Sequence, residues 1–250
     1  MTNALQVIHL LRARGPLRLS DIAAEIGVGA STAYRLVATL REQRFVRQEP
    51  EGKRYELGPA MLYTSAVSAL EHCVAVGGPV MHALQRSTQE TVHLTVLRGT
   101  RCLFAASVES HRLVRVTSRV GQGPPAHTAA GGKVLLAALD PEQLAEVFMR
   151  DPLATPTEAS IGDHEALAAE LESVRELGFA RNLGESEPDM YALAVPVRRP
   201  SGATISSLTI AAPLSRMGPA PKGEALSERE EQLLGELRDA AGRIEGMLAF

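Results

Sequence analysis

The stretch Leu19-Ser20-Asp21-Ile22-Ala23-Ala24-Glu25-Ile26-Gly27-Val28-Gly29-Ala30-Ser31-Thr32-Ala33-Tyr34-Arg35-Leu36-Val37-Ala38-Thr39-Leu40 decides how this 250-residue chain is read. Ser20 predicts an N-cap, its hydroxyl accepting a bond from an otherwise unpaired backbone amide. The helix it opens buries Ile22, Ala23 and Ile26 and stops at Gly27, a residue suited to the left-handed position after a helix. After the turn Gly27-Val28-Gly29, a further helix places Ala33, Leu36, Val37 and Leu40 at i, i+3, i+4 and i+7, one buried face. At about 100° per residue, the opposite face presents Ser31, Tyr34, Arg35, Ala38 and Glu42, with Thr32 and Thr39 at its edges. Small residues let such a helix sit deep in the DNA major groove, while hydroxyls and arginine meet phosphates and base edges. A solvated helix face has the same composition. The short helix and glycine turn ahead of it make the pair a helix-turn-helix.

Working outward, Leu5, Ile8 and Leu11 form a helical stripe that ends near Gly15-Pro16. Beyond Leu40, Phe45-Val46-Arg47-Gln48 and Lys53-Arg54-Tyr55-Glu56-Leu57 alternate around Glu49-Pro50-Glu51-Gly52, a hairpin. Arg47, Lys53 and Arg54 stand on or beside its tip, where a wing meets the DNA backbone or minor groove, and Arg44 extends that surface. The DNA-contacting candidates are therefore Ser20, Ser31, Thr32, Tyr34, Arg35, Thr39, Arg44, Arg47, Lys53 and Arg54. Residues 1–57 hold nine basic and six acidic groups, +3, which leaves −6 on the remainder of a chain with net charge −3. A small basic head on an acidic body fits a polyanion-binding module, and a surface of mixed charges fits it as well.

Hydrophobic residues at 45% and charged residues at 22% exclude global disorder. At about 150 residues per domain, the length predicts one to two domains. No apolar run approaches the ~18–20 residues of a membrane span. No basic stretch precedes the short apolar segment at the N-terminus, so no secretory signal is expected and the predicted location is cytoplasmic. Cys73 and Cys102 cannot build a disulfide framework and lack metal-ligand spacing.

Gly58-Pro59 opens a connecting helix with the stripe Met61, Leu62, Ser65, Ala66, Ala69 and Leu70, and Gly77-Gly78-Pro79 is expected to end it. The predicted domains are 1–58, a winged helix-turn-helix; 59–77, a linker helix; and 78–250, a sensor. In the last, helices are expected at Val80–Thr88, after Asp140-Pro141, and after Asp163, the third burying Leu167, Leu171, Val174 and Leu177 before Gly178. Strands are expected at Thr91–Leu97, Arg101–Ser107, Leu113–Val120, Tyr191–Val197 and Ala203–Ala212. Ser227 and Glu230 form a capping box for a final helix. Hairpins flanked by helices predict an α+β fold with helices packed on an antiparallel sheet.

Leu19–Ala23, Ile26-Gly27-Val28 and Ser31–Leu40 closely resemble the DNA-binding head of IclR-type bacterial transcriptional regulators, and Tyr55-Glu56-Leu57-Gly58-Pro59 is similar to the end of that family's wing. Ser118-Arg119-Val120-Gly121 with Pro125–Lys133 resembles the family's central effector-domain motif. Glu185-Ser186-Glu187 with Ala194–Val197, and Thr209–Arg216, are similar to two others. The resemblance spans essentially the whole chain. It implies a GAF-like domain cupping a small molecule between sheet and helices, and a connecting helix that contributes to dimer contacts. From the residues alone, that helix equally packs on its own domain.

Thr128–Gly132 begins a helix with small residues after two prolines. Free amides at a helix start favour an anion, and missing side chains let it approach; tight packing of helix on sheet asks for the same residues. The resemblance to acid-sensing members implies effector contacts at Arg119, His127, Thr128, Ala129, Ala130, Gly131, Asn182, Ala192, Thr209 and Ala211. Asn182 replaces an acidic residue, Ala192 a cysteine and Ala211 a hydroxyl. Fewer fixed polar groups point to a larger or more apolar acid than a tiny ketoacid, aromatic acids included. His127 either contacts the effector or buttresses its loop. His93, between Val92 and Leu94, reads as structural and Cys102 as core. Gly132-Lys133 resembles part of a phosphate-binding loop, but Val134 stands where Ser or Thr is required. No nucleophile elbow or carboxylate pair is present, so no catalytic residue, cofactor or metal is expected.

The function expected is a DNA-binding transcriptional regulator, a homodimer or dimer of dimers on a pseudo-palindromic double-stranded operator, modulated by a small organic acid. The alternative is a small-molecule-binding or hydrolytic domain whose helix-turn-helix serves protein contacts only.

Overall fold

The computed structural model describes residues 2–49, 52–117, 120–148 and 152–248, in two compact units, Met1–Ala69 and Leu70–Phe250. In the first, α1 (Thr2–Arg14), β1 (Leu17–Arg18), α2 (Leu19–Glu25) and α3 (Ala30–Glu42) precede a hairpin of β2 (Val46–Gln48) and β3 (Arg54–Leu57). The strands form a small antiparallel sheet in the order β1-β3-β2, and β1 is an addition to the sequence reading. Val7, Leu11, Ile22, Val37, Leu40, Val46 and Tyr55 close the core. The buried stripe of α1 thus runs through Val7 and Leu11, with Leu5 turned out to solvent, where the sequence stripe had placed it inside.

Ser20 is not the N-cap. Helix α2 starts two residues earlier, with Arg18 at its cap, and the carboxylate of Asp21 accepts the Arg18 amide at 3.3 Å. Ser20 lies in the first turn and donates to Asp21 Oδ1 at 3.2 Å. An aspartate at the third helical position can take the orphan amide that a cap hydroxyl would otherwise serve. Gly27 does end the helix, at φ +67°, in the left-handed region.

The connecting helix runs on where the sequence predicts a stop. Helix α4 (Pro59–Thr88) passes through Gly77-Gly78-Pro79 and absorbs the separate helix expected from Val80, and the division between the units falls inside it. An internal proline costs roughly 3 kcal/mol. Burial of Cys73, Val80, Met81 and Leu84 against the second unit's core offsets it, and a Cβ on Gly77 would lie 3.5 Å from Ile244 Cδ1. The side chains of the expected stripe at Met61, Leu62, Ser65, Ala66 and Ala69 lie outside the described residues.

The second unit is a five-stranded antiparallel sheet ordered β5-β4-β8-β7-β6. Its strands are β4 (Thr91–Arg98), β5 (Arg101–Val108), β6 (Ala180–Leu183), β7 (Met190–Arg198) and β8 (Thr204–Pro213). Between β5 and β6 lie a 3-10 turn (Ala126–Thr128), α5 (Ala130–Ala137), α6 (Pro141–Phe148) and α7 (His164–Leu177). The short α8 (Leu214–Met217) and long α9 (Glu228–Met247) follow β8. On one face Val92, Leu94, Leu193, Leu208 and Ile210 pack against Met81, Leu84, Leu233, Leu237 and Ile244 of α4 and α9. On the other, Ala192, Ala194 and Ala211 receive α5 and α7 through Val134, Leu136, Leu167 and Leu171. Asp163 and Ser227 cap α7 and α9 as expected, and Gly178 ends α7 at φ +73°. Leu177, expected inside, is exposed.

The predicted strand at Leu113–Val120 is not formed over its described residues, and Leu113 is 98% exposed. The outer edge of β5 is met instead by residues 121–125. The Cys102 amide donates to Pro124 O at 3.0 Å, and the Phe104 amide to Gln122 O at 2.9 Å. Pro124 and Pro125 lack the N–H a regular ladder requires, and Gly121 turns at φ +83°.

Lys133 of α5 is fully buried, its ammonium 2.7 Å from Glu170 of α7 and 2.8 and 2.9 Å from the two oxygens of Glu185; Lys222 adds a contact to Glu170 at 3.0 Å. Removing one partner of a buried ion pair strands the others without a counter-charge. Lys133→Met should lower stability by ~3–5 kcal/mol in urea unfolding; a loss below about 1 kcal/mol, the range of exposed pairs, would show the cluster is effectively solvated.

Candidate functional site

Helix α3 has Gly29 as its N-cap, which offers no side-chain bond, and its apolar stripe fixes which residues face outward. Ala33, Val37 and Leu40 are buried, while Ser31, Thr32, Tyr34, Arg35 and Thr39 are exposed together on the other side. Tyr34 stands 55% open. The Thr39 hydroxyl donates to Arg35 O at 3.0 Å, so towards a partner it can act only as an acceptor. Ser20, Arg44, Arg47, Lys53 and Arg54 are exposed as well. Arg47 is held by Glu56 across the β2–β3 hairpin at 2.8 Å, and Arg44 occupies the left-handed region at φ +60°. Basic side chains on an open face suit a phosphate backbone.

In the second unit a cavity of about 770 Å³ lies between the sheet and the start of α5. Strand alternation builds its floor, because Thr91, His93 and Thr95 of β4 turn to the face that also carries Ser207, Thr209 and Ala211 of β8. Phe104, Met190 and Ala192 supply apolar floor, and Thr117, Gln122 and Pro124 lie over it. Ala129, Ala130 and Gly131 form the side. Helix α5 has Ala129 at its N-cap with no side-chain bond, which leaves the amides of its first turn without a side-chain acceptor. No side chain fits there: a Cβ on Gly131 would lie 2.6 Å from both Thr95 Oγ1 and Ser207 Oγ, and 2.9 Å from Thr209 Oγ1.

The cavity lining carries few charges. Of the residues lining it, Arg101 and Glu187 carry full charges, and the Arg101 guanidinium is bonded to the Gly123 carbonyl. Burial pushes the His93 imidazole down to about 4, against a weaker upward pull from Glu109. Burial pushes the Cys102 thiol up to about 11, with a Thr95 hydrogen bond opposing it. Thr95 and Ser207 bond each other at 2.5 Å. His93 Nε2 and Thr209 Oγ1 are buried with no partner.

Of the effector positions inferred from sequence, Ala129, Ala130, Gly131, Asn182, Ala192, Thr209 and Ala211 line this cavity. Thr128 does not; it is buried with its hydroxyl donating to Pro125 O at 3.0 Å. Nor does His127, whose Nε2 lies 2.8 Å from Ala154 O beside a separate small hollow near Val147 and Leu153. Of its two expected roles, the geometry is that of a loop buttress. Arg119 lies outside the described residues. Asn182 spends its amide locally, donating to Ser186 Oγ and accepting from the Glu185 amide, both at 2.7 Å. His93, read as structural, is partly so: Nδ1 lies 2.9 Å from Ser107 Oγ, and the residue is one of those lining the cavity. The alternation Thr91, His93, Thr95, polar on one face of a buried strand, was the signal that would have found it. Among the described residues no group of His, Cys, Asp and Glu is placed to hold a metal, and no helix is long and apolar enough to cross a membrane.

An exposed helix-turn-helix face in one unit and a ligand-sized cavity in the other define a DNA-binding regulator under small-molecule control. The C-terminal model of the bacterial transcriptional regulator IclR matches residues 65–245, and the IclR helix-turn-helix domain matches residues 1–50. The chain belongs to the IclR family and is a DNA-binding transcriptional regulator modulated by a small-molecule effector. It is 28% identical to the HTH-type transcriptional regulator KdgR of Escherichia coli K12 over 255 residues, covering 100% of this chain and 94% of the relative. With the regulator XynR of the same organism it shares 30% over 217 residues, 86% of each chain. An IclR-family regulator from Rhodococcus sp. superposes with TM-score 0.73 at 26% identity, covering 98% of this chain and 92% of that one. An IclR homologue from Microbacterium hydrocarbonoxydans, complexed with 4-hydroxybenzoate, superposes at TM-score 0.61 and 25% identity over 98% and 97%.

Because the folded state depresses the His93 pKa from its ordinary 6.5, unfolding takes up a proton below that pH. The stability His93 contributes is present above pH 6.5 and lost as pH falls toward 4. The urea midpoint should therefore drop over that window, and drop less steeply in His93→Gln. Parallel slopes for the two proteins would place the titration elsewhere.

Proposed function

We propose that this regulator senses an aromatic carboxylic acid held in the second unit's cavity, with its carboxylate at the uncapped start of α5. The carrying observation is that helix start: its N-cap makes no side-chain bond, and Ala129, Ala130 and Gly131 line a cavity whose lining holds a single carboxylate, Glu187. A helix N-terminus supplies roughly half a positive charge where it meets a carboxylate. The cavity volume and the apolar floor of Phe104, Met190 and Ala192 exceed what a two- or three-carbon ketoacid fills. The 4-hydroxybenzoate complex of the Microbacterium homologue is of the same chemical class. The effector contacts proposed are Ala129, Ala130, Gly131, Asn182, Ala192, Thr209 and Ala211.

Residues 1–58 serve as the DNA-reading head, 59–77 as the connector and 78–250 as the sensor. Ser31, Thr32, Tyr34, Arg35 and Thr39 address the major groove, and Ser20, Arg44, Arg47, Lys53 and Arg54 the backbone. Two heads in a homodimer, or four in a dimer of dimers, read a pseudo-palindromic operator in the cytoplasm, with half-sites about one helical turn or a multiple apart. Effector and operator are coupled through α4, which requires that the acid bind the two arrangements of the heads with different affinity.

Arg35→Ala should weaken specific operator binding by ~1–3 kcal/mol, read by fluorescence anisotropy, if the guanidinium reaches a guanine edge. Lys53→Ala should weaken all sequences alike and reduce the salt slope by about one; an unchanged slope would remove Lys53 from the interface. In calorimetric titrations, benzoates should bind more tightly than glyoxylate or pyruvate, and binding of glyoxylate alone would overturn the aromatic reading.

A further inference from the structure

Arg216 closes the stretch Thr209–Arg216, yet it does not line the cavity. It sits on the short α8, directly after the floor strand β8. Its Nε and Nη2 each lie 2.7 Å from an oxygen of Glu90, and Nη1 donates to Val114 O at 3.0 Å. Glu90 follows the end of α4 and is 2% exposed. Val114 is 69% exposed, on the segment 109–117 that leaves β5, and further along the same segment Val116 and Thr117 line the cavity. One guanidinium thus ties the cavity's loop to the end of the helix that comes from the DNA-reading unit.

The ties at this joint differ in how freely they break. Ser110 Oγ donates to Gln89 O and Thr91 Oγ1 to Val116 O, both at 2.7 Å, and Ser110 and Thr91 are buried. Those bonds fix the root of the loop. The Glu90 carboxylate is buried and needs a cation in every arrangement; Arg112, from the loop itself, stands 4.0 Å from it as a second one. The Arg216–Val114 bond is of another kind, made to a neutral carbonyl at an exposed residue, where water can replace it. The arginine fork permits the division, because two N–H groups grip the carboxylate and another is left for the loop. Beside Glu90, Gln89 stands at φ +59°, a left-handed conformation that a residue with a side chain keeps only where its surroundings hold it. The junction of α4 and β4 is therefore held in place by what packs on it, and the loop is part of that hold.

We propose that Arg216 passes occupancy of the cavity to α4. A ligand lying against Val116 and Thr117 shifts the loop between two positions, one with the Val114 carbonyl clipped to Arg216 and one with it released. The clip then sets how firmly the end of α4 is held at Gln89 and Glu90. Arg216 is a positioning residue, outside both the cavity and the helix-turn-helix. This rests on the reading above, that the effector fills the cavity and is coupled to the operator through α4, and it names the contact that carries the coupling.

The test is amide hydrogen exchange of the full-length protein, free and bound to an operator duplex selected from a random-sequence pool. Coupling between two ligands is reciprocal, so DNA must reach the loop by the same route. In the wild type, operator should change exchange over residues 112–117 by about fivefold or more, the lower end of ordinary coupling. Arg216→Lys keeps a cation for Glu90 but has no planar fork to hold both oxygens and the carbonyl together. It should still bind operator, while the loop's response disappears. A loop that ignores operator in the wild type, or responds equally in Arg216→Lys, overturns the proposal. Should Arg216→Lys fail to fold, Glu90→Gln takes its place with the same two outcomes, since it keeps the side chain's shape and removes the charge that grips the guanidinium. A second arm uses benzoate as the probe. The ratio of operator dissociation constants with and without the acid should fall toward one in Arg216→Lys, while calorimetric affinity for benzoate is kept. Loss of benzoate affinity in the variant would make Arg216 a support of the cavity wall and overturn the proposal. Absence of benzoate binding to the wild type would overturn the aromatic-acid reading alone, and the exchange response to operator still decides the role of Arg216.

Discussion

The first turn of α5 has no room for side chains, and the second unit's chemistry depends on that. Gly131 is closed in by the hydroxyls of Thr95, Ser207 and Thr209, and a Cβ on Gly132 would overlap the Ala126 carbonyl. With Ala129 at the cap, no side chain is available to satisfy the leading amides. Lys133, one residue further on, is locked to Glu170 and Glu185, so the helix cannot draw back from the sheet to relieve the crowding. A helix start pressed onto a polar floor and pinned behind by ions is a fixed electropositive edge rather than an adjustable one.

Strands β4 and β8 let one sheet support both a core and a site. Val92, Leu94, Leu208 and Ile210 turn toward α4 and α9, whereas His93, Thr95, Ser207 and Thr209 turn toward α5. The two faces have opposite tasks, and a shift of one residue in register would exchange them. The apolar face therefore holds the cavity residues in register as much as any contact within the cavity does. Helix α4 belongs to this apolar face over its later turns, through Met81 and Leu84, so the element that leaves the DNA-reading unit is part of the sensor's own core.

Much of this was legible in residue spacing. The helix-turn-helix depends on contacts within a few turns, namely a stripe at i, i+3, i+4 and i+7, a glycine at a left-handed turn and small residues on the outer face, and each appears in order in the chain. The capping of α7 and α9 is equally local. The misread features were mostly long-range, Ser20 being the local one. Leu5 was assigned to a stripe that the packing of α1 rotates toward Val7 and Leu11. Ser20 had the chemistry of a cap, but the neighbouring aspartate took the role. Leu113–Val120 alternates as a strand does, yet the edge it would join is met by a proline-bearing segment further along.

By itself the sequence determined the class of protein, because the DNA-reading helix and the small-residue helix start are written in consecutive residues. Only the tertiary structure decided where α4 ends, since the benefit of burying its later turns, which outweighs an internal proline, comes from α9 some 150 residues away. The composition of the site was likewise a tertiary outcome. Thr209 and His93 are separated by more than a hundred positions and meet through strand pairing, while His127, adjacent to the helix start in sequence, is turned away from the cavity by its bond to Ala154. Proximity along the chain constrains the backbone, but which side chains share a space is set by register and packing.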